Sequence, residues 1–163
     1  MILDLINYTL DQNHSNFSIE IVDTQLLRLN IKNKKFIIYF HDVTSSGTGR
    51  SLDELRIQLS PAVKHKLIGF NAEDHKVVLL GYHKLTNTFT FWRYGYDIET
   101  NTKQSLYTKK QILTEAKLEG YAKYYSKKRN AFNNRDYDQK NSSVSINAFL
   151  FPLIIKNYDK IFN

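Results

Sequence analysis

The chain has 163 residues, no cysteine, and 23 Lys and Arg against 16 Asp and Glu, which gives a formal net charge of +7. The absence of cysteine excludes disulfides, cysteine nucleophiles and thiolate zinc sites, and a hydrophobic fraction of 42% is too high for a disordered chain. No apolar run approaches the roughly 20 residues that cross a bilayer, and the first residues lack the basic stretch of a signal peptide. We therefore expect a soluble, cytoplasmic protein with one domain over residues 1–163.

The excess positive charge is concentrated in one part of the sequence. Residues 1–100 carry 11 basic and 11 acidic side chains, residues 101–140 carry 10 and 4, and residues 141–163 carry 2 and 1. Clustered cations bind polyanions by releasing counterions from phosphates, without base specificity. The segment 101–140 therefore predicts general affinity for nucleic acid. The alternative interpretation is a solvated lysine-rich surface with no polyanionic partner.

The first part of the chain predicts a helix followed by strands. Ile2, Leu5 and Ile6 share one helical face, which predicts an amphipathic helix over residues 2–11. Three runs rich in Ile, Phe and Tyr then predict a β-meander: Phe17–Val22, Leu26–Ile31 and Lys35–Phe40. A loop is expected at His41–Arg50.

The next segment fits two kinds of secondary structure. Ser51–Glu54 matches the capping box that starts a helix. Residues 55–59, however, alternate apolar and polar side chains up to the break at Pro61, and a period of two is typical of a strand. We predict a strand that carries Arg56 and Gln58 on its polar face.

The second half of the chain predicts further strands and two helices. Thr108 and Gln111 match a capping box, and Gly120 is typical of the residue that follows a helix. In chain order we expect the hairpin Lys76–Tyr82 with Thr88–Tyr94, the loop Tyr94–Gln104, the segment Leu106–Tyr107, a helix from Thr108 to Gly120, the strand Val144–Leu150 and a helix from Pro152 to Asn163. Mostly β structure with two or three peripheral helices indicates a barrel or a strongly bent sheet, because sheet edges must be closed or covered.

No complete active site is recognisable in the sequence. A metal-dependent nuclease needs carboxylates that converge on a divalent cation near a lysine. Asp53 or Glu54 with Asp74 and Lys76 could supply these groups, but such triplets normally close an apolar strand, and the residues before Asp74 are polar. The histidines lack the spacing of a zinc pair. We predict no catalytic residue, metal or cofactor, and the nuclease remains the alternative.

The polar segment Gly47–Leu59 carries groups that can read DNA. Arg56 can bind guanine O6 and N7, and Gln58 can bind adenine N6 and N7. Asp53 and Glu54 would orient an arginine or accept a hydrogen bond from cytosine N4. The alternative for Arg56 is a structural ion pair with Glu54.

Two further segments combine aromatic and polar groups. Trp92–Ser105 joins aromatic, amide, hydroxyl and cationic side chains in one loop, although a buried Trp92 followed by an ordinary polar connection is the alternative. Tyr121–Asn130 interleaves tyrosines with basic residues, whose ends contact phosphates or stack on unpaired bases. The latter pattern leaves an RNA-binding module as a third functional alternative.

A resemblance to restriction systems is carried by four short patterns: Gly49-Arg50, Asp53-Glu54-x-Arg56-Ile57-Gln58, the strand end Leu80-Gly81-Tyr82 and the aromatic strand with Trp92. Over residues 40–120 the chain resembles the DNA-recognition modules of McrB-like, LlaJI-type AAA+ restriction subunits. Those modules are similar to the DNA-binding pseudobarrels of plant B-three transcription factors and of the EcoRII effector domain. The resemblance implies an open seven-stranded pseudobarrel that grips the major groove with two loop-and-strand arms, Thr44–Gln58 and Arg93–Ser105. Residues 121–140 have no counterpart in that pattern.

The residue patterns and the resemblance together predict a mostly β (α+β) domain that recognises a target sequence in double-stranded DNA. It would be the N-terminal module of a larger restriction subunit, with the AAA+ motor and the nuclease elsewhere in the same chain or system. The predicted DNA-binding residues are Thr44, Ser45, Ser46, Thr48, Arg50, Ser51, Asp53, Glu54, Arg56, Gln58, Arg93, Tyr94, Tyr96, Asn101, Lys103, Gln104, Ser105, Lys127, Lys128 and Arg129.

Overall fold

The computed structural model describes residues 1–13, 16–47, 49–95, 98–99, 105–127 and 137–162, with the side chains of residues 126–127 and 137–141 outside the description. Within these ranges, no helix is long and apolar enough to cross a membrane.

The elements with described bounds are four α-helices and ten β-strands. The helices are α1 (Ile2–Gln12), α2 (Pro61–Ala72), α3 (Lys110–Glu119) and α4 (Phe151–Lys156). The strands are β1 (Phe17–Asp23), β2 (Leu26–Ile31), β3 (Lys34–Asp42), β4 (Thr44–Ser45), β5 (Glu54–Gln58), β6 (Lys76–His83), β7 (Thr88–Trp92), β8 (Ser105–Lys109), β9 (Tyr121–Lys127) and β10 (Tyr137–Asn147). Short 3-10 helices at Ala148–Leu150 and Tyr158–Lys160 lie on either side of α4.

Seven strands form the main sheet in the order β1-β2-β3-β6-β7-β10-β9. Its neighbours are antiparallel except β3 and β6, which are parallel. A parallel pair needs a long crossover, and here the crossover contains β4, β5 and α2. In the described ladder β1 and β9 are the two edges and do not close on each other. The predicted fold class is confirmed: mostly β, α+β, with an open seven-stranded sheet and peripheral helices.

The central strands of the main sheet are buried on both faces, and β3 shows why. Phe36 and Ile38 point into one core with α1 and α4, whereas Ile37 and Tyr39 point into a second core. Successive side chains of a strand point to opposite faces, so the continuous apolar run Phe36–Tyr39 supplies both cores. The second core also contains residues from α2, α3, β5 and β8.

A second sheet of three strands, in the order β4-β5-β8, covers part of the second core. Leu55 and Ile57 of β5 and Leu106 of β8 are buried in that core. The indole Nε1 of Trp92 donates a hydrogen bond to the Tyr107 carbonyl oxygen at 2.9 Å and so ties β8 to the main sheet. The strand alternation predicted for residues 55–59 is confirmed.

Helix α2 was not expected from the sequence. The Ser60 hydroxyl accepts a hydrogen bond from the Val63 N–H at 3.2 Å, and Pro61 occupies the first turn. Ser followed by Pro is a recognisable helix start. Pro61 therefore ends β5 and begins a helix at the same point in the chain.

Two predicted boundaries are corrected by the structure. Thr108 does not cap α3: it is a fully buried residue of β8, and the helix starts after Lys109 with no side-chain cap. Gly120 ends that helix as predicted, with φ at 89°. The late strand begins earlier and ends sooner than Val144–Leu150, because the Asn147 side chain accepts the Phe149 N–H and starts a 3-10 helix.

Candidate nucleic-acid interface

The outward side of the three-stranded sheet presents a set of polar side chains. Alternation buries Leu55 and Ile57 and leaves the residues between them at least partly exposed. The strand registers place Thr44, Arg56 and Tyr107 in one row, and Glu54 lies opposite Lys109. We call this surface the polar sheet face; its members are Thr44, Glu54, Arg56, Gln58, Ser105, Tyr107 and Lys109.

Arg50 is held beside the polar sheet face by two interactions. Its Nη1 lies 3.2 Å from the Glu54 Oε1, and its Cζ lies 4.9 Å from the centroid of the Tyr107 ring. Half of the Arg50 side chain remains exposed. The Arg50 guanidinium is therefore oriented but still accessible. Glu54 orients an arginine, which is one of the roles that the sequence suggested for it. In the described part of the chain Arg56 forms no ion pair, so the structural pair expected with Glu54 is formed by Arg50 instead.

The turn between β4 and β5 is fixed by short-range hydrogen bonds. The Lys110 N–H donates to the Asp53 carbonyl oxygen at 2.9 Å, and the Ser51 hydroxyl accepts the Asp53 N–H at 3.3 Å. Gly47 has φ at 92°, in the region that favours glycine. Ser46 is buried and its hydroxyl donates to the Glu54 carbonyl oxygen, so it supports the turn in the free protein. Thr44 and Ser45 are exposed.

The second arm meets the first at the ladder between β5 and β8. Ser105 at the end of the second arm pairs with Gln58 at the end of the first. Arg93 is exposed immediately after β7, whereas Trp92 is fully buried, as its alternative interpretation required. The described ends of the two arms, Gln58 and Ser105, are therefore neighbours in the three-stranded sheet.

Tyr94 faces Glu99 rather than open solvent. Its hydroxyl donates to the Glu99 Oε1 at 2.9 Å, and the Asn71 side chain donates to the same oxygen at 3.3 Å. Burial, followed by the hydrogen bond and the charge of Glu99, raises the pKa of Tyr94. The Tyr94 hydroxyl is therefore engaged with Glu99 in the free protein.

A polar cavity of about 300 Å³ lies at the Gln58 end of the polar sheet face. It is lined by Gln25, Tyr39, His41 and Gln58, among others. The Tyr39 hydroxyl donates to the Gln58 carbonyl oxygen at 2.5 Å, and burial raises the pKa of Tyr39 to about 12. These contacts fix the end of β5 against β3.

Several predicted contact residues lie outside the described residues: Thr48, Tyr96, Asn101, Lys103, Gln104, Lys128 and Arg129. The side chain of Lys127 is also outside the description, although its backbone belongs to β9. Sequence reasoning missed two members of the polar sheet face, Tyr107 and Lys109. The alternation of polar and apolar residues in Ser105–Lys109 was the available signal.

The residues of the nuclease alternative are not brought together. Among the described residues, no three His, Cys, Asp or Glu side chains form a group that could hold a metal ion. Glu54 pairs with Arg50, and the Lys76 ammonium binds the Asp159 carboxylate. The carboxylates of Asp53, Glu54 and Asp74 therefore do not converge near Lys76.

The family model of methylase-associated X1 proteins matches residues 34–151, which is more than half of the chain. The chain belongs to the methylase-associated X1 family. This family is linked to restriction-modification systems. The matched range runs from the start of β3 to the start of α4 and so contains the whole polar sheet face. No curated protein and no solved structure matches the chain.

Proposed function

We propose that this chain is the target-recognition domain of a restriction-modification system and binds double-stranded DNA sequence-specifically through the polar sheet face. The observation that carries the proposal is Arg50, which Glu54 and Tyr107 hold in place beside Arg56 and Gln58. Membership of a family linked to restriction-modification systems supports the same function.

The geometry of the first arm suits the major groove. That groove admits a two-stranded β-ribbon, and β4 pairs antiparallel with β5 at one edge of the three-stranded sheet. Arginine and glutamine bind the edges of guanine and adenine through paired hydrogen bonds. An arginine that is already oriented loses less conformational entropy on binding than a free one. Arg50 and Arg56 would therefore read bases, with Gln58 beside them.

Nearby cations would hold the DNA backbone. Three cations, Arg50, Arg56 and Lys109, lie at this surface with the carboxylate of Glu54, and the exposed carboxylate of Asp53 lies in the adjoining turn. Lys110 follows at the start of α3, where its N–H binds the β4–β5 turn. Phosphate contacts of this kind set register and affinity but carry no sequence information. Part of the basic segment 101–140 is thus joined directly to the surface that reads bases.

More specifically, we assign the chain to the B-three-like DNA-recognition modules that its sequence resembles. The open seven-stranded sheet and the meeting of the two arms at β5 and β8 support it. The chain would form one DNA-binding domain, with the motor and the nuclease elsewhere in the same chain or system. This domain itself would then bind DNA without cleaving it.

Selection from a pool of randomised duplexes tests the proposal. We expect the wild-type protein to enrich one short motif, and the Arg50→Ala variant to enrich it less. Lys32→Ala is the matched control, because Lys32 is an exposed cation in the turn between β2 and β3, away from the polar sheet face. A pool without any enriched motif would contradict sequence-specific recognition.

A plasmid assay tests whether the chain binds DNA without cleaving it. A plasmid that contains the selected motif is incubated with excess protein and Mg²⁺ or Mn²⁺. We expect intact plasmid. Metal-dependent cleavage by the purified chain would show that this chain is itself a nuclease. It would support the alternative based on Asp53 or Glu54 with Asp74 and Lys76.

A further inference from the structure

Leu52 is an apolar side chain placed among the groups proposed to read DNA. It lies in the β4–β5 turn and is 87% exposed. Single exposed leucines are common on proteins and need no explanation by themselves. The position of Leu52 is what distinguishes it, because Arg50 and Glu54 lie two residues away on either side.

The backbone on both sides of Leu52 is held in place. The Glu54 N–H donates to the Ser51 carbonyl oxygen at 3.0 Å, and the Lys110 N–H holds the Asp53 carbonyl oxygen. Arg50 is anchored on Tyr107 and Glu54. Leu52 therefore projects from a turn whose backbone is held in place, and a ligand that contacts it does not have to order that backbone.

The major groove offers one apolar feature to such a side chain. Most of its base-edge atoms are hydrogen-bond donors or acceptors, but thymine presents a C5 methyl group that apolar side chains contact. A cytosine methylated at C5 presents the same group at the same position. Polar neighbours such as Arg50 would bind the adjacent base edge.

We propose that Leu52 recognises a methyl group on the major-groove edge of a base, that of thymine or of 5-methylcytosine. This inference rests on the proposed function. A contact with thymine would add to the reading of sequence, whereas a contact with 5-methylcytosine would make binding respond to the methylation state of the target.

The experiment uses the motif selected by the wild-type protein. In one series each thymine is replaced by deoxyuridine, which removes only the methyl group, and in the other each cytosine is replaced by 5-methylcytosine. At the position that Leu52 contacts, the methyl group should strengthen binding about four-fold, which corresponds to about 0.8 kcal/mol for one buried methyl-sized group. The two series distinguish thymine from 5-methylcytosine as the source of the methyl group.

The Leu52→Ala variant should bind the methylated and unmethylated duplexes with equal affinity. Leu118→Ala is the matched control, because Leu118 is a leucine on α3 that is 74% exposed, and it should keep the four-fold difference. Both side chains are exposed, so both variants should fold, and circular dichroism verifies this.

Two results overturn the inference. If the wild-type protein binds its motif but no methyl group changes the affinity, Leu52 is not a methyl reader and the proposed function stands. If Leu52→Ala weakens binding to methylated and unmethylated duplexes alike, Leu52 has a general contact role only. A wild-type protein that binds no duplex overturns the proposed function as well.

Discussion

Arg56 lies at the centre of the polar sheet face, between Thr44 on β4 and Tyr107 on β8. Its strand neighbours Leu55 and Ile57 are buried, so the backbone that carries Arg56 is fixed by the second core. A base-reading arginine gains from such a platform, because paired hydrogen bonds to guanine require a defined direction of approach.

Replacement of Arg56 by Ala should cost about 1–3 kcal/mol of binding free energy and relax the preference at one base position. The measurement is competition between the selected duplex and single-base variants of it, followed by fluorescence anisotropy. Because Arg56 has no ion pair within the described residues, the variant should retain its unfolding temperature. An Arg56→Ala protein that unfolds would show instead that the side chain is structural.

Gly81 lies where β6 passes under the ring of Trp92. A Cβ at this position would come within 2.5 Å of Val43 Cγ2 and 2.8 Å of Trp92 Cζ3. Only glycine leaves room for both side chains, and Trp92 in turn holds β8 through its hydrogen bond to Tyr107. One small residue in the main sheet therefore supports the position of the polar sheet face.

Replacement of Gly81 by Ala should lower the free energy of unfolding by about 1–3 kcal/mol, because the added methyl group overpacks the core. Urea denaturation measures this change. Gly69→Ala is the matched control: Gly69 lies in α2 with open space around its Cα, and alanine should leave stability unchanged or raise it by up to about 1 kcal/mol. Equal effects of the two substitutions would contradict the packing explanation.

The 3-10 helix Tyr158–Lys160 is held to the main sheet by Tyr158, which packs on the first core, and by the carboxylate of Asp159. Asp159 binds Lys34 of β3 at 3.2 Å and also Lys76 of β6. The hydrogen bond from Lys76 is the largest cause that lowers the pKa of Asp159 below its ordinary 3.8. Lys34 and Lys76 belong to the two parallel strands, so this carboxylate joins the 3-10 helix to both strands of that pair.

Because the pKa of Asp159 is lower in the folded state than in the unfolded state, its contribution to stability is present above about pH 4 and is lost as the pH falls below that value. The Asp159→Asn variant should therefore be less stable than the wild type at pH 7, and the difference should shrink towards pH 3. About half of the Asp159 side chain is exposed, so water screens the pairs and the difference should stay within about 1 kcal/mol. Thermal unfolding at a series of pH values measures it, and a difference that does not depend on pH would contradict this assignment.

The molecule as a whole places its basic and acidic residues unevenly. Residues 1–27, which form α1 and β1, contain Asp4, Asp11, Glu20 and Asp23 but no Lys or Arg. Helix α1 packs in the first core, whereas the three-stranded sheet packs in the second, so the two lie on opposite sides of the main sheet. Under the proposed function, Asp4 and Asp11 of α1 would repel DNA and the cations beside the polar sheet face would attract it, because like charges repel a polyanion and opposite charges attract it.

Binding to duplex DNA should weaken as the salt concentration rises. In a plot of the logarithm of the association constant against the logarithm of the salt concentration, the slope should be about −0.9 for each neutralised phosphate. Lys109→Ala should reduce that slope by about one phosphate contact, equally for all sequences. Lys32→Ala should leave the slope unchanged. Titrations at several salt concentrations provide the slopes, and binding that is independent of salt would contradict an electrostatic role for this surface.

Local sequence patterns were sufficient to predict most elements of the main sheet. The meander of β1, β2 and β3 and the hairpin of β6 and β7 were recognisable because alternation and turn residues are properties of consecutive positions. Residues 55–59 were also assigned correctly as a strand. Pro61 marks the end of the alternating run but does not by itself reveal that α2 follows, and Thr108 fits a capping box although it pairs inside β8.

The pairing of distant segments depended on tertiary structure. No local pattern states that β5 pairs with β8, that Glu54 binds Arg50 while Tyr107 stacks on it, or that Trp92 secures that pair of strands. These contacts join residues as far apart in the chain as Arg50 and Tyr107. They form because burying Leu55, Ile57 and Leu106 in one core leaves their polar neighbours on one outward face. Composition and periodicity determined that the protein is a basic, mostly β molecule with polar arms, and shared burial decided which of those polar residues stand together.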